Sequence, residues 1–171
     1  MTSPTWLGPI RQSAFIVDDI DEAAMEWVTT QGVGPFFAFS VSFEETTYRG
    51  ATVPMAGGMA LAQTGTQQIE LIAPELSAGS VYKEFLDGGG TGLHHVCYWA
   101  DIDRAIAHFE SLGCTMVQDG VSSNGNQFAY LTGTAGVPYI ELVDPNATMA
   151  RFFDSIADAA VDWDGTDPVR R

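Results

Sequence analysis

Two stretches of this chain carry the same order of features: an apolar strand-like run, an Asp-Ile-Asp turn, an amphipathic run and a glycine stop. The first is QSAFIVDDIDEAAMEWVTTQGVG, residues 12–34, and the second is HVCYWADIDRAIAHFESLGC, residues 95–114. A repeat constrains the fold strongly, because a unit too small to bury its own apolar face packs against its copy. In the second unit Ile102, Ala105, Ile106, Phe109 and Leu112 recur at helical spacing and form one apolar face. Asp103 sits near the start, where the helix dipole favours a carboxylate, and Gly113 suits a left-handed stop. The first helix is predicted from about Asp21 to Thr30, burying Ala24, Trp27 and Val28 and ending before Gly32-Val33-Gly34.

Strand-like runs follow each helix. They are PFFAFSVSFEE, TYRGATV, GMALAQTG and QQIELIAP in the first half, then CTMVQDG, NQFAYLTG and PYIELVDP in the second. Both halves finish on Ile-Glu-Leu-X-X-Pro: Ile69-Glu70-Leu71 with Pro74, and Ile140-Glu141-Leu142 with Pro145. Strand, helix and three strands, used twice, predict an α+β fold of two tandem βαβββ modules, whose curved mixed sheet surrounds a trough. The expected single domain spans 8–145, with module 1 at 8–75 and module 2 at 92–145. A helix in SVYKEFLDG and a glycine-rich run join the modules over 76–91, and a helix followed by a loose polar tail fills 146–171.

Composition bounds the function. At 171 residues and 46% hydrophobic, the chain is long enough for one domain with a real core. Only 7 basic residues against 22 acidic ones, a net charge of -15, exclude nucleic acid and an anionic membrane surface as partners. Cys97 and Cys114 have no metal-finger spacing and read as buried, reduced thiols. The opening MTSPTWLGPIRQS lacks an apolar core segment and no run approaches a membrane span, so a cytoplasmic protein is expected.

Four polar residues recur at matching places. Gln12 and His95 open the first strand of each half, and Glu70 and Glu141 sit in the last. A lone strand glutamate usually faces water. Here each lies between two large apolar residues, so if Ile and Leu pack under the helices both carboxylates point into the trough. Three oxygens and one imidazole suit an octahedral divalent ion with room for substrate: Zn, Ni, Co, Mn or Fe.

These residues make the chain resemble the vicinal oxygen chelate superfamily, which includes glyoxalase I, methylmalonyl-CoA epimerase, extradiol dioxygenases and bleomycin-resistance proteins. The resemblance covers roughly residues 8–145 and is most specific at GLHHVCYWADIDRAIAHFESLG and the two IELxxP strands. SVYKEFLDG before Gly-Leu-His-His looks most like the epimerase branch. The resemblance implies metal ligands Gln12, Glu70, His95 and Glu141, with His94 on the opposite face as a packed histidine. That set is similar to the ligands of eukaryotic-type glyoxalase I, whereas epimerases usually begin with His where this chain has Gln12. The epimerases' second carboxylate is also missing: Gly58-Met59-Ala60-Leu61-Ala62-Gln63 contains no acid, and Glu44 and Glu45 read as exposed strand-end groups.

The implied function is a divalent-metal-dependent, glyoxalase-like isomerase, epimerase or lyase. It would act on a carbonyl substrate through an enolate or enediolate, with Glu141 or Glu70 as base. The scarcity of Lys and Arg favours an apolar, non-phosphorylated substrate, lined by Trp99 above all, with Phe37, Phe39 and Phe128 and the further candidates Phe36 and Phe43. The alternatives are a sequestering binder of the bleomycin-resistance kind and a ring-cleaving dioxygenase, whose usual two-His, one-Glu site Gln12 argues against. A homodimer is expected to cover open sheet edges.

Overall fold

The computed structural model describes residues 6–122, 124–134 and 136–171. The first half holds β1 (Gln12–Ile16), α1 (Ile20–Gln31), β2 (Phe36–Tyr48), β3 (Ala51–Thr64) and β4 (Gln67–Pro74). After α2 (Val81–Asp87) come β5 (Gly92–Trp99), α3 (Ile102–Ser111), β6 (Met116–Val121), β7 (Gln127–Thr132) and β8 (Tyr139–Asp144). The chain finishes with α4 (Ala147–Ala160) and β9 (Val169–Arg170).

The repeated Asp-Ile-Asp is a helix start. Its first aspartate is the N-cap: Asp19 accepts from the Glu22 N–H at 2.9 Å, and Asp101 from the Arg104 N–H at 3.0 Å. Its second, Asp21 or Asp103, lies in the first turn, facing the positive end of the helix dipole. Gly32 closes α1 in the left-handed region at φ 66°. α3 ends one residue short of its apolar stripe, so Leu112, expected on the buried face, becomes the C-cap and is 63% exposed.

α1 packs Ala24, with Trp27 and Val28, on Ile69 and Leu71, while α3 packs Ile102, Ala105 and Phe109 on Ile140 and Leu142. Each fully buried leucine of these layers contributes about 1.5–3 kcal/mol.

Within each module the first strand runs parallel to the last, β1 with β4 and β5 with β8, and the others are antiparallel. Antiparallel pairs β1–β5 and β2–β6 join the modules. Because Thr46–Tyr48 of β2 pairs with both β3 and β6, the hydrogen bonding returns on itself. The expected trough is therefore the interior of a closed circuit of eight strands, with β9 added outside β2. The expectation of a homodimer rests on open module edges, which the circuit joins at the β1–β5 seam and, over Thr46–Tyr48, at β2–β6.

Two segments differ from their sequence reading. TYRGATV is not a strand of its own: Arg49 and Gly50, both at positive φ, turn β2 directly into β3. The tail is not loose. Val169 and Arg170 pair with Phe36 and Phe37, and Arg171 binds Asp21 at 2.5 Å. The Trp163 ring packs so close to Gly34 that a Cβ there would lie 2.6 Å from it. No helix among the described residues is long and apolar enough to cross a membrane.

Candidate metal centre and cavity

Strand alternation sets the site. Ile69 and Leu71 lie under α1, which turns Glu70 inward; Ile140 and Leu142 lie under α3, which turns Glu141 inward. Ala14 of β1 stands between Glu70 and His95, and Cys97 of β5 between Gln12 and Glu141. The β1–β5 seam thus gathers residues from both modules. His95 Nε2 lies 3.4 Å from Glu70 Oε2 and 3.3 Å from Glu141 Oε2, and the three ligating atoms fall within 4.8 Å of one another.

All three side chains are buried. Glu70 Oε2 and His95 Nε2 nevertheless find no hydrogen-bond partner among the described residues. Orphaned buried acceptors are costly, and a cation between them removes the cost, so these residues fit a divalent ion. Gln12, on the same wall, donates its amide N–H to Gln68 Oε1 at 3.2 Å, which leaves its oxygen as the group available to a cation.

The two carboxylates differ. Burial, with the neighbouring Glu141 charge, raises the Glu70 carboxyl despite His95 beside it. Burial acts upward on Glu141 too, but His95 and the hydroxyl of Tyr130 at 2.6 Å bring it below the ordinary value. Across the sheet from Glu70 the matching position is Leu61, which offers no hydrogen bond. Burial opposes charge on His95, yet Glu141 and Glu70 prevail and raise its imidazole to about 9, so a proton competes with a metal for this site. His94 faces away among Tyr82, Phe85 and Tyr139, and burial with the adjacent His95 lowers it to about 2, keeping it neutral. Burial also holds the phenols of Tyr82 and Tyr130 protonated.

Above this floor opens a cavity of about 480 Å³. Of the expected lining residues Phe39, Phe43 and Phe128 are present, as are Gln12, Glu70 and Glu141. Trp99 and Phe37 are not. Trp99 does share the His95 face, but Phe153 of α4 stacks on it at 5.0 Å and Arg11 covers its ring at 4.0 Å, placing it in a separate pocket of about 60 Å³. Phe37 sits at the far end of its strand beneath Arg170, and Phe36 packs under α1. Glu44 and Glu45 are exposed and outside the cavity.

The sequence reading missed Met55, Met59 and Leu61, and the tyrosines Tyr82 and Tyr130. It also missed the contribution of α4, whose Met149, Phe152 and Phe153 line the cavity. Period-two alternation from Phe128 would have found Tyr130. No lysine or arginine lines the cavity among the described residues.

A family model described as the glyoxalase/bleomycin resistance protein/dioxygenase superfamily matches residues 11–132. Among solved structures, methylmalonyl-CoA epimerase from Mycobacterium tuberculosis is 21% identical, with 88% of this chain and 97% of that one covered and a TM-score of 0.61. A variant of the Streptomyces coelicolor methylmalonyl-CoA epimerase in complex with 2-nitronate-propionyl-CoA is 21% identical, covering 82% and 96% at a TM-score of 0.58. A hypothetical protein from Bacillus halodurans is 19% identical, covering 81% and 94% at 0.57. At these identities the likeness is one of fold. No curated protein matches the chain.

Proposed function

Because the chain belongs to the glyoxalase/bleomycin resistance protein/dioxygenase superfamily, we propose that it is a divalent-metal-dependent enzyme that moves a proton next to a carbonyl group. Its substrate is an apolar, non-phosphorylated small molecule. The observation that carries this reading is the pair of orphaned buried atoms, Glu70 Oε2 and His95 Nε2, beside an apolar cavity that Glu70 and Glu141 line while His95 lies beneath them.

Gln12, Glu70, His95 and Glu141 would hold the ion. When bound, it supplies the positive charge that draws electrons toward a carbonyl oxygen and acidifies the adjacent C–H. Glu70 is the base. Its Oε2 has no hydrogen-bond partner among the described residues, and burial raises its carboxyl above the ordinary value, which favours taking up a proton. Glu141, tied to Tyr130, stays in place as a ligand. The proton that Glu70 takes returns to carbon in an isomerase or epimerase, and the apolar walls keep bulk water from the enolate. Among the described residues no Lys or Arg lines the cavity to meet the phosphates of a coenzyme, which supports an uncharged substrate.

The test starts from metal content. After reconstitution with Zn, Ni or Co and dialysis, wild type should retain about one ion per chain, and His95→Ala should bind more than about 100-fold more weakly. Glu70→Gln should lose deuterium exchange from D2O into apolar α-hydroxy ketones, followed by NMR. A wild type that takes up no divalent metal sinks the enzyme reading and leaves a small-molecule binder. Bound iron with oxygen uptake on an aromatic diol makes it a dioxygenase instead.

A further inference from the structure

α2 belongs to neither repeat, yet two hydrogen-bond chains from the module-2 members of the centre end at its first two residues. In one chain, Tyr130 Oη donates to Glu141 Oε1 at 2.6 Å. Its proton being committed, the 2.9 Å contact between the Tyr82 and Tyr130 hydroxyls has Tyr82 as donor.

The second chain fixes a tautomer. The Nδ1 atoms of His94 and His95 lie 2.9 Å apart, so one must donate and the other accept. His94 Nε2 faces the carbonyl oxygen of Val81 at 3.4 Å, and a carbonyl only accepts. His94 therefore carries its proton on Nε2 and accepts at Nδ1. That places a His95 proton on Nδ1, so in the neutral imidazole Nε2, between the carboxylates, is the nitrogen that carries the lone pair.

The step that anchors both chains is itself held. Val81 N–H donates to Gln118 Oε1 at 2.8 Å, and Gln118 Nε2 donates to Thr46 Oγ1 at 2.9 Å, joining α2 to β6 and β2. Val81, Tyr82, His94 and Gln118 are all buried. Among the described residues module 1 shows no counterpart, for Glu70 faces Leu61 and Gln12 is met by Gln68.

We infer that the Val81–Tyr82 step of α2 is the outer support of the metal centre, with His94, Tyr82 and Tyr130 as positioning residues. It sets the tautomer of His95 and the orientation of Glu141, and so governs how tightly a cation is held. This rests on the metal-centre reading proposed above. Supporting residues of this kind alter metal affinity about 10–100-fold.

Co(II) serves as the probe, with affinity taken from chelator competition and the ligand field from the visible absorption bands. Tyr130→Phe, Tyr82→Phe and His94→Leu should each weaken Co(II) about 10-fold or more, and Tyr130→Phe should also shift the bands. His94→Asn, which restores an acceptor for His95, should recover most of the loss. Phe109→Leu, a buried change on the inner face of α3 that takes part in neither chain, should lower thermal stability and leave Co(II) affinity as it was. If His94→Leu does not fold, the two tyrosine variants, which lack only an oxygen, decide the matter. Wild-type affinity and spectrum in both would overturn the inference while the metal reading stands; a wild type that binds no Co(II) overturns both.

Discussion

Module 1 and module 2 put a glutamate at the same point of the same strand, yet Leu61 meets Glu70 across the sheet and Tyr130 meets Glu141. The first strands differ likewise, Gln12 standing where the other has His95. Their hairpins diverge further: β2 and β3 run 13 and 14 residues, β6 and β7 only 6 each. Duplication supplies matched backbone positions, and substitution on one side divides the labour. The long hairpin of module 1 makes much of the cavity wall, while module 2 holds its polar side chains by hydrogen bonds. Two similar carboxylates thereby acquire opposite pKa shifts.

The comparison can be broken at three levels. The largest effect should come from Leu71→Ala and Leu142→Ala, equivalent residues beneath α1 and α3 with no exposed area. Each should cost about 2–5 kcal/mol in urea unfolding, in one transition for both because the sheet is a single circuit. Two separated transitions would show that the modules unfold independently.

Next come the caps. Asp19→Ala and Asp101→Ala should each destabilise by about 1 kcal/mol, measured the same way; a clear inequality would show that one helix depends less on its own start.

The smallest concerns the clasp between modules. Glu84 of α2 binds Arg49 and Tyr48 of module 1 and Tyr139 of module 2. Arg49, against some opposition from burial and with help from the two hydroxyls, lowers its carboxyl from 4.5 to about 2. A depressed carboxylate stabilises fully above its unfolded value and loses that contribution as pH falls through the folded one. Thermal stability of Glu84→Gln should therefore fall less steeply than wild type between pH 4.5 and about 2. Parallel curves would remove the clasp from the account.

What was legible in the sequence was what depends on local periodicity. Ile-Glu-Leu announced two inward carboxylates because alternation along a strand needs no partner to be read. Asp-Ile-Asp marked both helix starts, although the residue that caps was the first aspartate and Asp103 only supports the dipole. Arg49-Gly50 escaped notice because Arg is an unusual residue at positive φ and Thr, Tyr and Val on either side read as strand. Trp99 kept its expected face and still lost the cavity, since α4 returns from a distant part of the chain to cover it. Tyr82 and Tyr130 were hidden for the same reason: which side chain opposes which across strands is a matter of register, and register is non-local.

The closed circuit also sets the order in which the chain can fold. The β2–β3 hairpin closes over two residues, but the circuit needs Gln12 opposite Cys97 and Thr46 opposite Gly120. Such pairings pay loop-closure entropy before any contact rewards them, so they form late and slowly. On a ribosome, module 1 emerges carrying one carboxylate of the centre and waits for the imidazole and the second carboxylate to be synthesised. The candidate ligands Glu70, His95 and Glu141 thus come together only once the β1–β5 seam has been made.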